Sequence, residues 1–224
     1  LNLFKPIPPD EARARLDLPP DHQMVLFVGR IEPLKGIDTL LRAMALVTRN
    51  YPNWQERLCV CVIGGDPSDS PQHVNEEMAR LKQLRNELGI GDLVVFMGAQ
   101  DQDTLNVHYS AAAMVVMPSH YESFGMVALE AMACGTPVIA SKVGGLTFTV
   151  QDGVTGFLVP ERDPQALADK ISLLLHDAEL RQRLGAQAVQ RARRYSWPIV
   201  ADQIVALYER VVTQAVPEQI KLET

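Results

Sequence analysis

Two glutamates, Glu122 and Glu130, stand eight residues apart within Pro118-Ser119-His120-Tyr121-Glu122-Ser123-Phe124-Gly125-Met126-Val127-Ala128-Leu129-Glu130-Ala131-Met132-Ala133-Cys134-Gly135-Thr136-Pro137. The segment reads as a strand end, a loop, a helix beginning near Phe124 and a stop at Gly135, with Pro137 beyond. Glu130 is its anomaly. The helical neighbours Met126, Val127, Ala131, Ala133 and Cys134 are apolar, so this carboxylate sits mid-helix on a surface that otherwise reads as buried. A buried carboxylate needs hydrogen-bond donors to offset its desolvation, and sugar hydroxyls are good donors. Glu122 lies just before the helix, near the free amides of its first turn. The pair therefore brackets a helix N-terminus with two hydroxyl-binding groups. The alternative is a structural ion pair between Glu130 and Arg30 or Lys35, with Glu122 an exposed N-terminal acid.

A second cluster is cationic. The apolar run Met24–Val28 is followed by Gly29-Arg30-Ile31-Glu32-Pro33-Leu34-Lys35-Gly36. Gly29 permits a tight turn and close backbone approach. Arg30 offers a planar fork and Lys35 a mobile point charge, and beside a helix N-terminus the two suit a pyrophosphate. A solvated loop with ordinary surface charges is the competing reading. No G-x-G-x-x-G or Walker pattern is present, which argues against a dinucleotide dehydrogenase or an NTPase.

These groups need elements to hold them. Apolar runs of strand length at Met24–Val28, Leu58–Ile63, Leu93–Met97, Met114–Met117, Pro137–Ala140 and Gly156–Val159 are continuous, as in parallel strands covered on both faces. Helical patterns fall between them near 37–50, 74–88, 103–111, 125–134 and 143–151, and after them near 164–176, 178–194 and 197–213. The alternation predicts an α/β fold, a doubly wound parallel sheet of Rossmann-like type with a C-terminal helical extension. In such a sheet ligands bind outside the carboxyl ends of the strands, where the loops carrying Arg30, Lys35 and Glu122 begin. Residues 1–22 read as an interdomain linker and lead-in, 23–195 as the ligand-binding domain, and 196–224 as a final helix and tail.

Hydrophobic residues at 47% suffice for a full core, and a net charge of -6 argues against a nucleic-acid binder. No apolar run approaches the roughly 20 residues that span a bilayer. Cys59, Cys61 and Cys134 do not suggest a disulfide framework. Cys59 and Cys61 share one strand face as reduced core thiols, with a metal pair the weaker alternative, and the expected compartment is the cytoplasm. Asp101-Gln102-Asp103 resembles a D-x-D metal motif, but its place before a helix favours capping. Gly64-Gly65-Asp66 reads as a turn or a point of close approach, and His108 and His120 as structural or loop histidines. Arg181, Arg183, Arg191, Arg193 and Arg194 suggest a solvated face, with docking on an anionic membrane as the weaker option. Ser196-Trp197-Pro198 reads as a cap and first helical turn.

Taken together these motifs resemble those of the family-4 retaining glycosyltransferases, two-domain GT-B enzymes. Glu122 and Glu130 match the family's E-x7-E motif. Glu-Ser-Phe-Gly, Gly-Thr-Pro-Val, Gly29-Arg30 with Lys35-Gly36, and Val143-Gly144-Gly145-Leu146 ahead of Asp152-Gly153-Val154-Thr155-Gly156 occur in the family's order. Many members follow Gly-Gly-Leu with Pro-Glu, where this chain has Thr147-Phe148-Thr149. The resemblance implies the C-terminal donor-binding domain of a sucrose-phosphate synthase-like or inositol-phosphate glycosyltransferase-like enzyme. It implies that Arg30 and Lys35 hold the donor diphosphate, Glu122 the sugar hydroxyls and Glu130 the ribose. Backbone at Phe124, Gly125 and Met126 would touch sugar and phosphate, Met126 and Val127 would wall the site, and Gly29 and Gly98 would lie against the donor. Backbone of Met97–Ala99, with Gln100, would lie near the base. The expected donor is a nucleotide-diphosphate hexose, UDP-glucose above others. No metal or other cofactor is expected, and the acceptor would bind on an N-terminal domain. The competing classes are a GT-B-like sugar-nucleotide epimerase and a non-catalytic nucleotide-binding module.

Overall fold

The computed structural model describes residues 3–19, 21–65 and 71–215. Six strands form one parallel sheet: β1 (Gln23–Val28), β2 (Leu58–Ile63), β3 (Val94–Gly98), β4 (Met114–Met117), β5 (Val138–Ser141) and β6 (Gly156–Val159). Their order is β3-β2-β1-β4-β5-β6, so the chain winds outward from β1 in one direction, then returns to wind the other way. The switch between β1 and β4 is where an open α/β sheet opens a crevice for ligand.

The helices are α1 (Pro9–Arg15), α2 (Ile37–Asn50), α3 (Pro71–Glu87), α4 (Gln102–Ala111), α5 (Met126–Ala133), α6 (Leu146–Thr149), α7 (Pro164–His176), α8 (Ala178–Arg193) and α9 (Trp197–Ala215). Each strand presents apolar side chains to both faces, which explains the unbroken hydrophobic runs. On one face Val25, Phe27, Val60, Val116 and Ile139 pack under Leu40, Met44, Leu81, Ile171 and Leu174 of α2, α3 and α7. On the other, Met24, Leu26, Val115 and Ala140 meet Ala12, Tyr109, Ala128, Met132 and Ala188 of α1, α4, α5 and α8. Helix α8 serves both cores, Leu184 in the first and Ala188 and Ala192 in the second. Cys61 is buried and Cys59 half-buried on the same face of β2, and neither is in a disulfide.

Two departures from the sequence reading have physical causes. Helix α1 falls in a stretch read as linker. Pro at its start, Asp10 and Glu11 in its first turn and Arg13 and Arg15 in its last give it the right polarity, but Ala12 is its sole buried residue, so it has no apolar stripe. The helix expected over 143–151 shrinks to Leu146–Thr149, because the residues ahead of it are taken up in contact with the loop after β4.

Helix α8 lies so close to the end of α5 that a Cβ on Gly185 would fall 2.1 Å from the Gly135 carbonyl oxygen. Gly185→Ala must push these elements apart. It is expected to cost roughly 1–3 kcal/mol, read as a lower midpoint in urea with an unchanged m-value.

Candidate active site

Three loops at the carboxyl ends of the strands lock together through backbone. After β1, Pro33–Lys35 makes a 3-10 turn closed by Gly36 at φ +64°. A Cβ on Gly36 would lie 2.1 Å from the Pro118 carbonyl oxygen, and the His120 amide donates to the Leu34 carbonyl at 2.8 Å. The loop after β4 is gripped from its other side by the loop after β5. Gly144, at φ +43°, has room for no Cβ, since one would lie 2.1 Å from the Glu122 carbonyl oxygen. The Gly145 amide donates to that same oxygen at 2.9 Å, and Thr149 Oγ1 donates to the Phe124 carbonyl at 2.8 Å. Gly125, at φ +87°, rests against Leu146, so the helix starts at Met126 instead of Phe124.

This clamp decides where the charges meet. Lys35 Nζ lies 2.7 Å from Glu122 Oε2, and both side chains are largely buried, 20% and 15% exposed. The ion pair that forms is thus Lys35 with Glu122, not a cation with Glu130. Arg30 is exposed and its guanidinium pairs with Glu32 at 2.6 Å. Arg30 and Lys35 both follow the carboxyl end of β1, and Lys35 reaches Glu122 in the loop that leads into α5, whose first amides lack intrahelical acceptors. A lysine and a carboxylate brought together ahead of a helix N-terminus can bind an anion and hydroxyl groups together. Phe124 and Met126 are exposed beside them and Val127 is half-buried.

Glu130 turns toward α4. Its Oε2 accepts the Tyr109 hydroxyl proton at 2.8 Å, and Tyr109 is fully buried. Burial raises the Glu130 carboxyl above the usual carboxylate range, and the bond from Tyr109 opposes that rise. Sequence reasoning missed Tyr109, since nothing in its spacing links a phenol on α4 to a carboxylate on α5.

Glycines close the strand ends beside these groups. The Gly29 amide donates to the Ile63 carbonyl and the Gly64 amide to the Gly98 carbonyl, each at 3.0 Å. A Cβ on Gly64 would fall 1.7 Å from the Gly29 carbonyl oxygen, so this edge can be only bare backbone. The Gln100 side-chain amide donates to the Met97 carbonyl at 3.0 Å. Asp66 lies outside the described residues.

Other candidates fall to structural roles. Asp101 caps α4, its carboxylate accepting the Thr104 amide at 2.7 Å. His108 Nδ1 meets the Thr104 carbonyl at 2.9 Å. The His120 ring lies beside Gly36, its Nδ1 3.9 Å from Glu161 and without a hydrogen-bond partner. The basic stretch is partly a fastener: Arg181 donates to the carbonyls of Leu174 and Leu175, and Arg191 to the Phe148 carbonyl and Tyr195 hydroxyl. The Tyr195 ring stands edge-on to Phe124 at 6.0 Å. A cavity of about 520 Å³ opens at the amino ends of the strands, among Gln23, Ala113, Pro137, Arg13 and Arg181, away from all of these loops. No helix among the described residues is long and apolar enough to cross a membrane.

Residues 9–191 match the family model described as glycosyl transferases group 1. The chain belongs to the group 1 glycosyltransferases. It is 47% identical over 215 residues to a D-inositol 3-phosphate glycosyltransferase of Frankia alni, covering 96% of this chain and 52% of the relative. A second such enzyme, from Thermomonospora curvata, is 46% identical over 199 residues, with 89% and 45% covered. Among solved structures, a sucrose-phosphate synthase from Thermosynechococcus elongatus superposes with a TM-score of 0.81 at 42% identity, over 96% of this chain and 51% of that one. The Anabaena protein HepE in complex with UDP and glucose superposes with a TM-score of 0.79 at 27% identity, over 93% and 54%. The group 1 chain thus spans about half the length of these relatives. Its fold is that of the Rossmann-like C-terminal domain of GT-B proteins.

The clamp predicts where this glycosyltransferase domain tolerates an added methyl group. Gly36→Ala and Gly144→Ala each force backbone apart at a positive φ and should lower Tm by roughly 2–10 °C. Gly91→Ala, whose nearest neighbour is the movable Asn86 side chain at 3.1 Å, should stay close to wild type. Differential scanning calorimetry of the three variants checks the contrast.

Proposed function

We propose that this domain binds the donor of a retaining hexosyltransferase, taking UDP-glucose and delivering glucose to an acceptor hydroxyl. The observation that carries the reading is the Lys35–Glu122 pair at the mouth of α5, at 2.7 Å, in a group 1 glycosyltransferase. A sugar nucleotide matches both partners at once, its diphosphate taking the ammonium and its hexose hydroxyls the carboxylate. Arg30, Lys35 and Glu122 are the catalytic set. The two cations neutralise charge growing on the departing diphosphate, work that a metal would otherwise do, so none is required. The Gly125 and Met126 amides add the positive end of α5, with Phe124, Met126 and Val127 beside the sugar. Glu130 accepts the ribose hydroxyls, and the bare backbone at Gly29 and Gly98 lets the nucleotide lie close.

In this reading residues 23–195 form the donor domain and 1–22 the lead-in from an acceptor-binding N-terminal domain. Helix α9 returns toward that domain. Helix α9 exposes Trp197, Ile204, Leu207, Tyr208 and Val211, an apolar surface suited to such packing. The protein works in the cytoplasm, and the domain alone should bind donor but transfer sugar poorly or not at all.

Calorimetric titration with UDP, GDP, ADP and their glucose conjugates, in EDTA, tests the reading. UDP and UDP-glucose should bind in preference to the others, and joint replacement of Arg30 and Lys35 by Ala should abolish binding. Glu122→Gln should remove the affinity that glucose adds while leaving UDP at least as tightly held, because Lys35 is then released to the diphosphate. Preference for GDP or ADP, or a strict need for a divalent metal, would overturn it.

A further inference from the structure

Glu130 has two carboxylate oxygens in different surroundings. Oε2 is held by the Tyr109 hydroxyl at 2.8 Å. No donor among the described residues takes Oε1, and it is not a sealed, orphaned atom. One oxygen is thus tied to the protein interior and the other is left for a ligand.

Tyr109 is itself held by its neighbours. Thr136 Oγ1 donates to the Tyr109 carbonyl, so the Gly-Thr-Pro turn after α5 pins the end of α4. The Phe4 ring stands edge-on to the Tyr109 ring at 5.7 Å. The segment carrying Phe4 is hung on α4 by two side chains, the Lys5 amide donating to Asn106 Oδ1 at 3.1 Å and the Ile7 amide to Ser110 Oγ at 3.2 Å. Asn106 Oδ1 also accepts the Cys134 thiol at 3.1 Å, which ties α4 to α5 directly.

We propose that Tyr109 is a positioning residue of the nucleotide site, its hydroxyl orienting Glu130 so that the free oxygen meets the ribose hydroxyls. This rests on the ribose role given to Glu130 above. The physical need is plain. A carboxylate in this setting is pushed toward its neutral form by desolvation, and a protonated carboxyl accepts hydroxyls less well. The bond from Tyr109 works against that push. Burial and the Glu130 charge move the phenol far above its ordinary range, so it remains a donor. Cys134, the other titratable group acting with Glu130, is pushed up to about 12 by burial and stays uncharged. Lys35 and Arg30 are paired with other carboxylates, Lys35 with Glu122 and Arg30 with Glu32, and the group that acts on Glu130 is Tyr109.

The sign of the pH effect follows. Removing the hydroxyl takes away the interaction that lowers the Glu130 carboxyl, so Glu130 protonates at higher pH and nucleotide binding fails sooner on acidification. UDP affinity would be measured for the wild type, Tyr109→Phe, Glu130→Gln and the double variant between about pH 5 and pH 8. Tyr109→Phe should weaken UDP roughly tenfold at neutral pH and move the acid limb upward, and both effects should vanish in the Glu130→Gln background. An unchanged affinity and pH profile in Tyr109→Phe, or an equal loss in the Glu130→Gln background, would overturn the proposal. If Glu130→Gln binds UDP as wild type does, the ribose role fails, and with it this role for Tyr109. The linkage between the two side chains has its own readout in the unliganded protein, the ¹³C titration of the Glu130 carboxyl. Its midpoint should rise in Tyr109→Phe and fall with 3-fluorotyrosine at position 109, whose hydroxyl donates more strongly; a midpoint that ignores both also overturns the proposal.

Discussion

The site depends on a constraint of space: the loop after β4 runs between two others with no room for side chains at the contacts. Gly36 on one side and Gly144 on the other each leave about 2.1 Å between a hypothetical Cβ and a carbonyl oxygen of that loop. Backbone packed this closely cannot slide, so the Glu122 carbonyl, the Phe124 carbonyl and the start of α5 have fixed places. The side chains inherit that order. Lys35 and Glu122, 87 positions apart in sequence, meet because the loops that carry them already touch, at Leu34 with His120 and Gly36 with Pro118. Electrostatics then adds to a geometry that sterics has chosen.

The two carboxylates solve different problems. Glu122 is charge-paired and largely buried, so its ionised form is compensated by Lys35. Glu130 has a neutral phenol as its partner, which compensates its ionised form less than a cation would. Pairing Glu130 with Lys35 would have silenced both groups. The sheet topology prevents this by placing Lys35 against the loop, ahead of α5, while the side of α5 bearing Glu130 faces α4. The Lys35–Glu122 and Tyr109–Glu130 pairs are thus kept apart by which element each one faces.

Much of the fold was legible because parallel strands buried on both faces leave unbroken apolar runs. Leu58–Ile63, Met114–Met117 and Gly156–Val159 match the observed strands, as do helices over 37–50 and 164–176. What was illegible rests on tertiary contact. Helix α1 carries too little apolar surface to announce itself, and the Gly144-Gly145 pair gives up helix to touch the neighbouring loop. In the site, Arg30, Lys35, Glu122 and Glu130 stood out by type and position, but which groups would pair did not. The Tyr109–Glu130 bond joins α4 to α5 across an intervening strand, and Arg191 reaches Phe148 from α8; no local pattern encodes either.

The Lys35–Glu122 pair has a consequence for selectivity. Each partner neutralises the other, so the pair by itself carries little net attraction for a lone anion. Free phosphate could claim the lysine only by stranding the glutamate, and a neutral sugar could claim the glutamate only by stranding the lysine; a stranded, largely buried charge is costly. A ligand bearing both an anion and hydroxyls at the right separation displaces the pair with neither left over. In the proposed donor role, the ion pair would thus discriminate against free phosphate and free sugar, each of which satisfies one partner alone.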